Sequence, residues 1–296
     1  MRAIFLAAIA VTLVVTVGLG AVIFLPIGQK VQPNNLSGDV NRGAYLARAS
    51  GCIACHTDFA KNGNPLAGGV KFATSFGDLY SPNITTNKEY GIGNWSIENF
   101  DMAVRQGISP EGEAYYPAFT YEFYRNFTDQ DIADLWAAFQ TVAAVSNPSK
   151  DHEMPFPFNQ RWGLKLWRVA FLTNPKTQSD PNKSEVWNRG RLLAEGATHC
   201  AACHTPRNLA GARKTKDRHF NGNESLPGGG KAPAIDINSL KKNNWTIENL
   251  AYALETGITP NGDSFGDSMG KHVLYSTSFL TPKDQIAIAT YLLEEN

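Results

Sequence analysis

Cys52-Ile53-Ala54-Cys55-His56 and Cys200-Ala201-Ala202-Cys203-His204 decide the reading of this chain. Together they consume all four cysteines, so no thiol is left for a disulfide, a nucleophile or a separate metal ligand. A Cys-x-x-Cys-His run offers two thiols from one tight turn to the two vinyl groups of a planar porphyrin, with the histidine beside the iron. Zinc would need four ligands gathered in one small module, and these pairs stand far apart. A thioredoxin-like pair belongs in a βαβ context, which the flanking sequence does not offer. The runs therefore predict two covalently attached haem c groups on Cys52, Cys55, Cys200 and Cys203, with His56 and His204 as axial iron ligands.

Around these runs the sequence repeats itself. Val40-Asn41-Arg42-Gly43 precedes the first and Trp187-Asn188-Arg189-Gly190 the second. Asn94-Trp95-Ser96-Ile97-Glu98-Asn99 answers to Asn244-Trp245-Thr246-Ile247-Glu248-Asn249, and Gly107-Ile108-Ser109-Pro110 to Gly257-Ile258-Thr259-Pro260. Such self-similarity predicts one domain duplicated. Each copy reads as helical, with a helix entering the haem run and a second starting at a Ser96 or Thr246 cap. Ile97, Phe100 and Val104 share one face of that second helix. A terminal helix begins near Thr128 and near Thr281, where Asp131 and Asp284 have capping-box spacing and Pro282 suits the first turn. The Gly/Pro/Asn-rich loops 62–69 and 227–230 imply that a cofactor rather than chain fills the middle.

Iron takes a sixth ligand or keeps an open position, and methionine is the common partner in electron-transfer cytochromes. Met269, in the Gly/Ser-rich loop 266–270 ahead of the terminal helix, is read as the distal ligand of the second haem. Its counterpart in the first repeat is Phe119, which has no donor atom. Met102 falls on the helix face opposite Ile97, Phe100 and Val104. For the first haem the candidates are Met154, beyond the first terminal helix, and an open iron; His152, Tyr116 and Tyr121 are rarer choices.

Hydrophobic residues make up 43% and charged residues 18% of the 296 positions, which fits a folded chain and excludes a disordered one. Zero net charge gives no global pull toward nucleic acid. Residues 3–25 carry no charge, and at about 1.5 Å per residue they can span about 30 Å of hydrocarbon. The run is long for a cleaved signal peptide and is read as a signal anchor. Arg2 would then stay cytoplasmic and the rest would face the periplasm, although Lys30 weakens the charge bias. A polar tether follows. Between the repeats, the segment from Met154 to Pro175 carries Trp162, Leu166, Trp167, Val169 and Phe171. It is read as a crossover helix packed on both halves, the alternative being a helix on the membrane surface.

Trp95 and Trp245 are equally readable as propionate donors and as core residues. His199, His219 and His272 are read as surface histidines. Arg213, Lys214, Lys216 and Arg218 are read as a solvated loop, with steering of an acidic partner as the alternative.

With these residues in view, the chain resembles the cytochrome c subunits of bacterial membrane-bound dehydrogenases, such as alcohol and aldehyde dehydrogenases, and the dihaem cytochromes c-553. The likeness rests on the two haem runs, Tyr80-Ser81-Pro82-Asn83-Ile84-Thr85, Gly91-Ile92-Gly93, Tyr116-Pro117-Ala118 and Pro155-Phe156-Pro157-Phe158. It implies a mainly α fold: two tandem class I cytochrome c domains after an N-terminal transmembrane helix. The expected divisions are anchor 1–27, tether 28–38, domain 39–147, crossover 148–183 and domain 184–296. The family places a distal methionine directly after Tyr-Pro-Ala, where this chain has Phe119, so that ligand does not carry over. The resemblance implies a non-catalytic carrier on the periplasmic face of the inner membrane. Electrons would come from a dehydrogenase subunit and pass to a quinone, soluble cytochrome or oxidase. The rival is a dihaem peroxidase with an open first iron. Oxidation through a cysteine-ligated haem is excluded by the cysteine count.

Overall fold

The computed structural model describes residues 2–24, 26–175, 178–227 and 229–294. α1 (Arg2–Phe24) is one helix of 23 residues, whose side chains at 2–4, 7, 8, 11, 14, 15, 19 and 21 lie outside that description. Among the described residues no helix is long and apolar enough to cross a membrane. The expected span therefore rests on sequence alone.

The stretch after α1 is not a loose tether. Gln29 N–H donates to Gln106 Oε1 at 2.7 Å, and Gln106 Nε2 donates back to Gln29 O at 2.8 Å. Asn34 Nδ2 donates to Asp129 O at 2.8 Å. These bonds to the folded body override the flexibility that its composition suggests.

The first repeat contains α2 (Val40–Ala49), α3 (Cys52–His56), a hairpin of β1 (Lys71–Thr74) and β2 (Gly77–Tyr80), α4 (Ile97–Gln106), α5 (Tyr121–Tyr124) and α6 (Asp129–Phe139). After the crossover helix α7 (Gly163–Phe171) come α8 (Glu185–Leu192), α9 (Ala201–His204), α10 (Ile237–Lys242), α11 (Ile247–Thr256), α12 (Asp267–Tyr275) and α13 (Pro282–Leu293). Ser96 and Thr246 cap α4 and α11, and both helices end at a left-handed glycine, Gly107 and Gly257. Thr128 and Asp131 close a reciprocal capping box on α6. At α13 only half the box forms, because the Asp284 carboxylate is drawn away to Arg189 and Tyr45.

In each repeat the first helix crosses the last at a glycine. Gly43 on α2 lies against the Asp134 and Ala138 turn of α6, and Gly190 on α8 against the Ala287 and Tyr291 turn of α13. The arginine before each glycine grips the same last helix. Arg42 pairs with Asp131 and Asp134, and Arg189 pairs with Asp284 at 2.7 Å. This accounts for the repeated Asn-Arg-Gly.

The apolar core runs without a break from Leu46, Phe100, Ile132 and Phe139 in the first repeat to Leu193, Leu250, Ile288 and Leu292 in the second. α7 touches both halves, with Trp167 Nε1 donating to Ala210 O at 2.9 Å and Arg168 donating to Gln106 O at 2.6 Å. None of its residues is buried, however, and Leu166, Val169 and Phe171 are exposed.

Two local features depart from the helical expectation. β1 and β2 form an antiparallel ladder with Phe72 opposite Leu79, and Glu153 pairs with Asp78 on its outer edge. Met269 lies in a helix, α12, not in a loop; Gly266 opens α12 in extended backbone, and Gly270 lets the helix close on the Phe265 carbonyl.

Candidate functional site

Each Cys-x-x-Cys-His run is built on the same cradle. Thr57 and Thr205, directly after the histidines, are fully buried. Their hydroxyls accept the N–H groups of Leu66 and Phe220 at 3.0 and 3.1 Å. Leu66 and Phe220 both adopt positive φ, 61° and 59°. Gly68 N–H then donates to His56 O at 2.8 Å, and Gly222 N–H to His204 O at 2.9 Å. Against these glycines run Pro82 and Pro233. His56 Nδ1 donates to Pro82 O at 2.8 Å, and His204 Nδ1 donates to Pro233 O at 2.7 Å.

A histidine whose Nδ1–H is held by a carbonyl keeps its Nε2 lone pair for a metal. Burial lowers the pKa of both rings, against the carbonyl bonds, so both are neutral. The Pro82 segment is itself fixed by Asn83, whose Nδ2 donates to Val145 O and Asn147 O at 2.9 and 3.0 Å. The sequence reading missed Thr57, Thr205, Pro82 and Pro233 as supports. The signal was there: both runs continue into threonine, and Pro-x-Ile recurs at Pro82-Asn83-Ile84 and Pro233-Ala234-Ile235.

The thiols suit thioether chemistry better than thiolate chemistry. Cys55 and Cys203 open onto solvent, yet the surrounding protein desolvates them. Burial pushes Cys52 up to about 12, Cys55 and Cys200 up to about 11, and Cys203 upward as well. Such thiols stay protonated, unlike those of redox pairs. Among the described residues no cluster of three or more His, Cys, Asp or Glu could hold a metal ion. Paired neutral thiols with one oriented imidazole fit haem c at both sites.

The two sites meet. His199 Nε2, beside Cys200, lies 3.3 Å from the carbonyl oxygen of Ser50, two residues before Cys52. Around them the halves interlock: Ser276 Oγ donates to Ala49 O at 2.7 Å, and Asn126 Nδ2 donates to Glu195 O at 2.9 Å. Arg213 Nε bonds Glu122 Oε1 at 3.0 Å, with both side chains less than 10% exposed (7% and 9%). Arg213 is therefore a buried link, not part of a solvated loop.

The histidines read as surface residues are only partly exposed. His219 Nε2 pairs with Glu195 at 2.5 Å. The rings of His199 and His272 lie 5.5 Å apart at the junction of the halves. Burial, then the charges of His199 and His204, brings His272 down to about 3. His199 occupies the place of Gly51 at the start of the haem turn, and both have positive φ, 37° and 62°.

On the distal side, Met269 packs against the core, on a helix that also touches α3, where Tyr275 stacks on Phe59 at 4.4 Å. At the first site Phe119 lies among Tyr115, Tyr121 and Tyr124, with ring centroids 5.9–6.3 Å apart. Met154 is elsewhere, over Gly77 of the hairpin. Trp95 and Trp245 are half-buried against the core. A cleft of about 660 Å³ between residues 28–36, Arg105, Gln106 and Arg168 contains no cysteine, histidine or methionine and belongs to neither site.

No family model matches the chain. Three relatives place it nonetheless. A nicotinate dehydrogenase subunit of Pseudomonas putida is 39% identical over 86% of this chain and 21% of its own length. The gluconate 2-dehydrogenase cytochrome c subunit of Pantoea cypripedii is 39% identical over 86% of this chain and 58% of its own. The diheme cytochrome c-type protein of Cereibacter sphaeroides is 37% identical over 87% of this chain and 86% of its own. The chain thus spans only a part of the first two but nearly all of the third. It belongs to the family of dihaem c-type cytochromes, electron-transfer proteins with two covalently bound haem c groups.

Proposed function

We propose that this cytochrome carries electrons from a periplasmic dehydrogenase partner toward the respiratory chain, to a quinone, a soluble cytochrome or an oxidase. The observation that carries the reading is the meeting of the two attachment turns, where His199 Nε2 lies 3.3 Å from Ser50 O, inside one continuous core. Bound haem supplies a reversible one-electron couple at each site. Cys52, Cys55, Cys200 and Cys203 would hold the two haems through thioether links, His56 and His204 would bind the irons through Nε2, and Met269 would serve the second site. The names of two relatives, both dehydrogenase subunits, support the choice of partner.

In the same reading, residues 39–147 and 184–296 are two tandem class I cytochrome c domains joined by 148–183. Residues 1–27 anchor them to the periplasmic face of the inner membrane. The uncharged run 3–25, continuous with a helix to Phe24, supports the anchor.

A peroxidase needs an acid–base residue over the open face. The tyrosines around Phe119 do not meet that need, since burial pushes Tyr115 and Tyr124 further above neutrality. The test is a redox titration of the membrane-extracted protein followed by one-electron pulse reduction. Two unequal potentials with rapid equilibration between the haems are expected. A single potential shared by both centres, or no transfer between them, would count against a carrier built this way.

A further inference from the structure

The two halves differ at one place that matters to iron, and the structure fixes the register there. Tyr115 N–H donates to Gly107 O, and Phe265 N–H donates to Gly257 O, both at 2.8 Å. Each follows the same pair of bridges, Ile108 with Ala114 and Ile258 with Ser264. Tyr115 and Phe265 are therefore equivalent, and four residues further on Phe119 stands where the second repeat has Met269. Phe119 lies against Tyr124, whose hydroxyl donates to Ser50 O, two residues before Cys52. Phe119 thus reaches the first attachment turn through Tyr124.

Among the described residues the other candidates read from the sequence are engaged elsewhere, the Tyr121 ring lying 5.3 Å from the Arg168 guanidinium. The stretch 145–154 runs along the chain that presents Pro82, which is the His56 side. Glu153 pairs with Asp78, Ser149 accepts Asn83 N–H at 3.0 Å, and Met154 Sδ rests over Gly77. His152 Nδ1 accepts Tyr80 N–H at 3.2 Å. The neutral ring then carries its proton on Nε2 and has no lone pair to offer. Tyr116 donates its hydroxyl to Phe158 O at 2.9 Å. Met102 lies outside the core-packing face of α4 formed by Ile97, Phe100 and Val104. His199 Nε2 is engaged by Ser50 O at 3.3 Å.

We infer that Phe119, with Tyr115, Tyr121 and Tyr124, closes the first haem site with an aromatic wall. Phe119 supplies no ligand atom where the second repeat has Met269, and the first iron keeps an exchangeable position for small neutral diatomic molecules. The inference rests on the two-haem reading above. Ferrous haem binds carbon monoxide and nitric oxide without needing a proton donor, so an aromatic wall without an acid or base does not bar them. The second site, with Met269, stays closed.

The test uses the full chain matured with haem, and carbon monoxide as the probe. Haem is counted first, as the pyridine haemochrome; fewer than two per chain sinks the two-haem reading itself. With two present, the reduced protein is expected to bind about one carbon monoxide per chain, and the oxidised protein to show one high-spin and one low-spin iron. Phe119→Met is expected to abolish carbon monoxide binding and convert the high-spin signal to low-spin. Phe119→Leu, of similar bulk and equally donor-free, is expected to retain both. Two low-spin irons and no carbon monoxide binding in the parent protein would overturn the inference. So would carbon monoxide binding that survives Phe119→Met unchanged.

Discussion

Gly43 lies so close to the carbonyl oxygen of Asp134 that no β-carbon fits between them, and Gly190 stands in the same relation to Ala287. The obstacle in both cases is backbone at the helix crossing, which cannot swing aside. Gly43→Ala and Gly190→Ala are therefore expected to destabilise the protein by about 3 kcal/mol, at the upper end of overpacking costs. Gly163→Ala, with nothing within 4 Å of the new carbon, should be neutral or slightly stabilising. Denaturant midpoints of the three variants, followed at the Soret band, check the contrast.

The buried hydroxyls of Thr57 and Thr205 accept the Leu66 and Phe220 N–H groups beneath the two haem turns. Thr205→Val keeps the shape and orphans one buried donor, at a cost of about 1–3 kcal/mol. Thermal unfolding should show the loss, and Thr205→Ser should recover most of it.

Glu122 and Arg213 are both almost inaccessible. Removing one charge strands the other, so Arg213→Met is expected to cost about 3–5 kcal/mol, while Glu122→Leu combined with Arg213→Met should return near the parent value. A double-mutant cycle on unfolding free energy decides it; additive losses would refute the buried pair.

Acid should unfold the protein in a predictable window. Burial raises Asp134, Glu195 and Asp284, but their bonds outweigh it. Asp39 N–H, Gln130 and Arg42 act on Asp134; His219, Tyr291 and Arg213 on Glu195; Arg189 and Tyr45 on Asp284. All three end below their ordinary values. The stability they contribute is fully present above the unfolded carboxylate pKa of about 4 and is lost as pH falls through the folded values. Asp284→Asn should flatten that acid limb while lowering stability at neutral pH.

What the sequence showed best was what short range and repetition encode. The cysteine runs, the Ser96, Thr128, Thr246 and Thr281 caps and the repeated Asn-Arg-Gly all act within a few residues or on a fixed counterpart. What it hid was long-range pairing. Glu122 and Arg213 meet across the two halves, and no local pattern marks either as buried. His199 and His272 read as surface residues because polarity suggested exposure, whereas the junction of the halves encloses them. α12 was hidden by Gly266 and Gly270, which argue for a loop, although Gly270 N–H bonds Gly266 O at 3.0 Å to close the first turn. The β1–β2 hairpin is short and half-exposed, too brief for alternation to register.

The clasp formed by Ser276 on Ala49, Asn126 on Glu195 and Arg213 on Glu122 has a kinetic meaning. If the proposed carrier function holds, the gap an electron would tunnel across between the bolted halves is a built-in constant instead of the outcome of a hinge. Its passage should be indifferent to solvent viscosity, leaving docking with outside partners as the only step that diffusion governs.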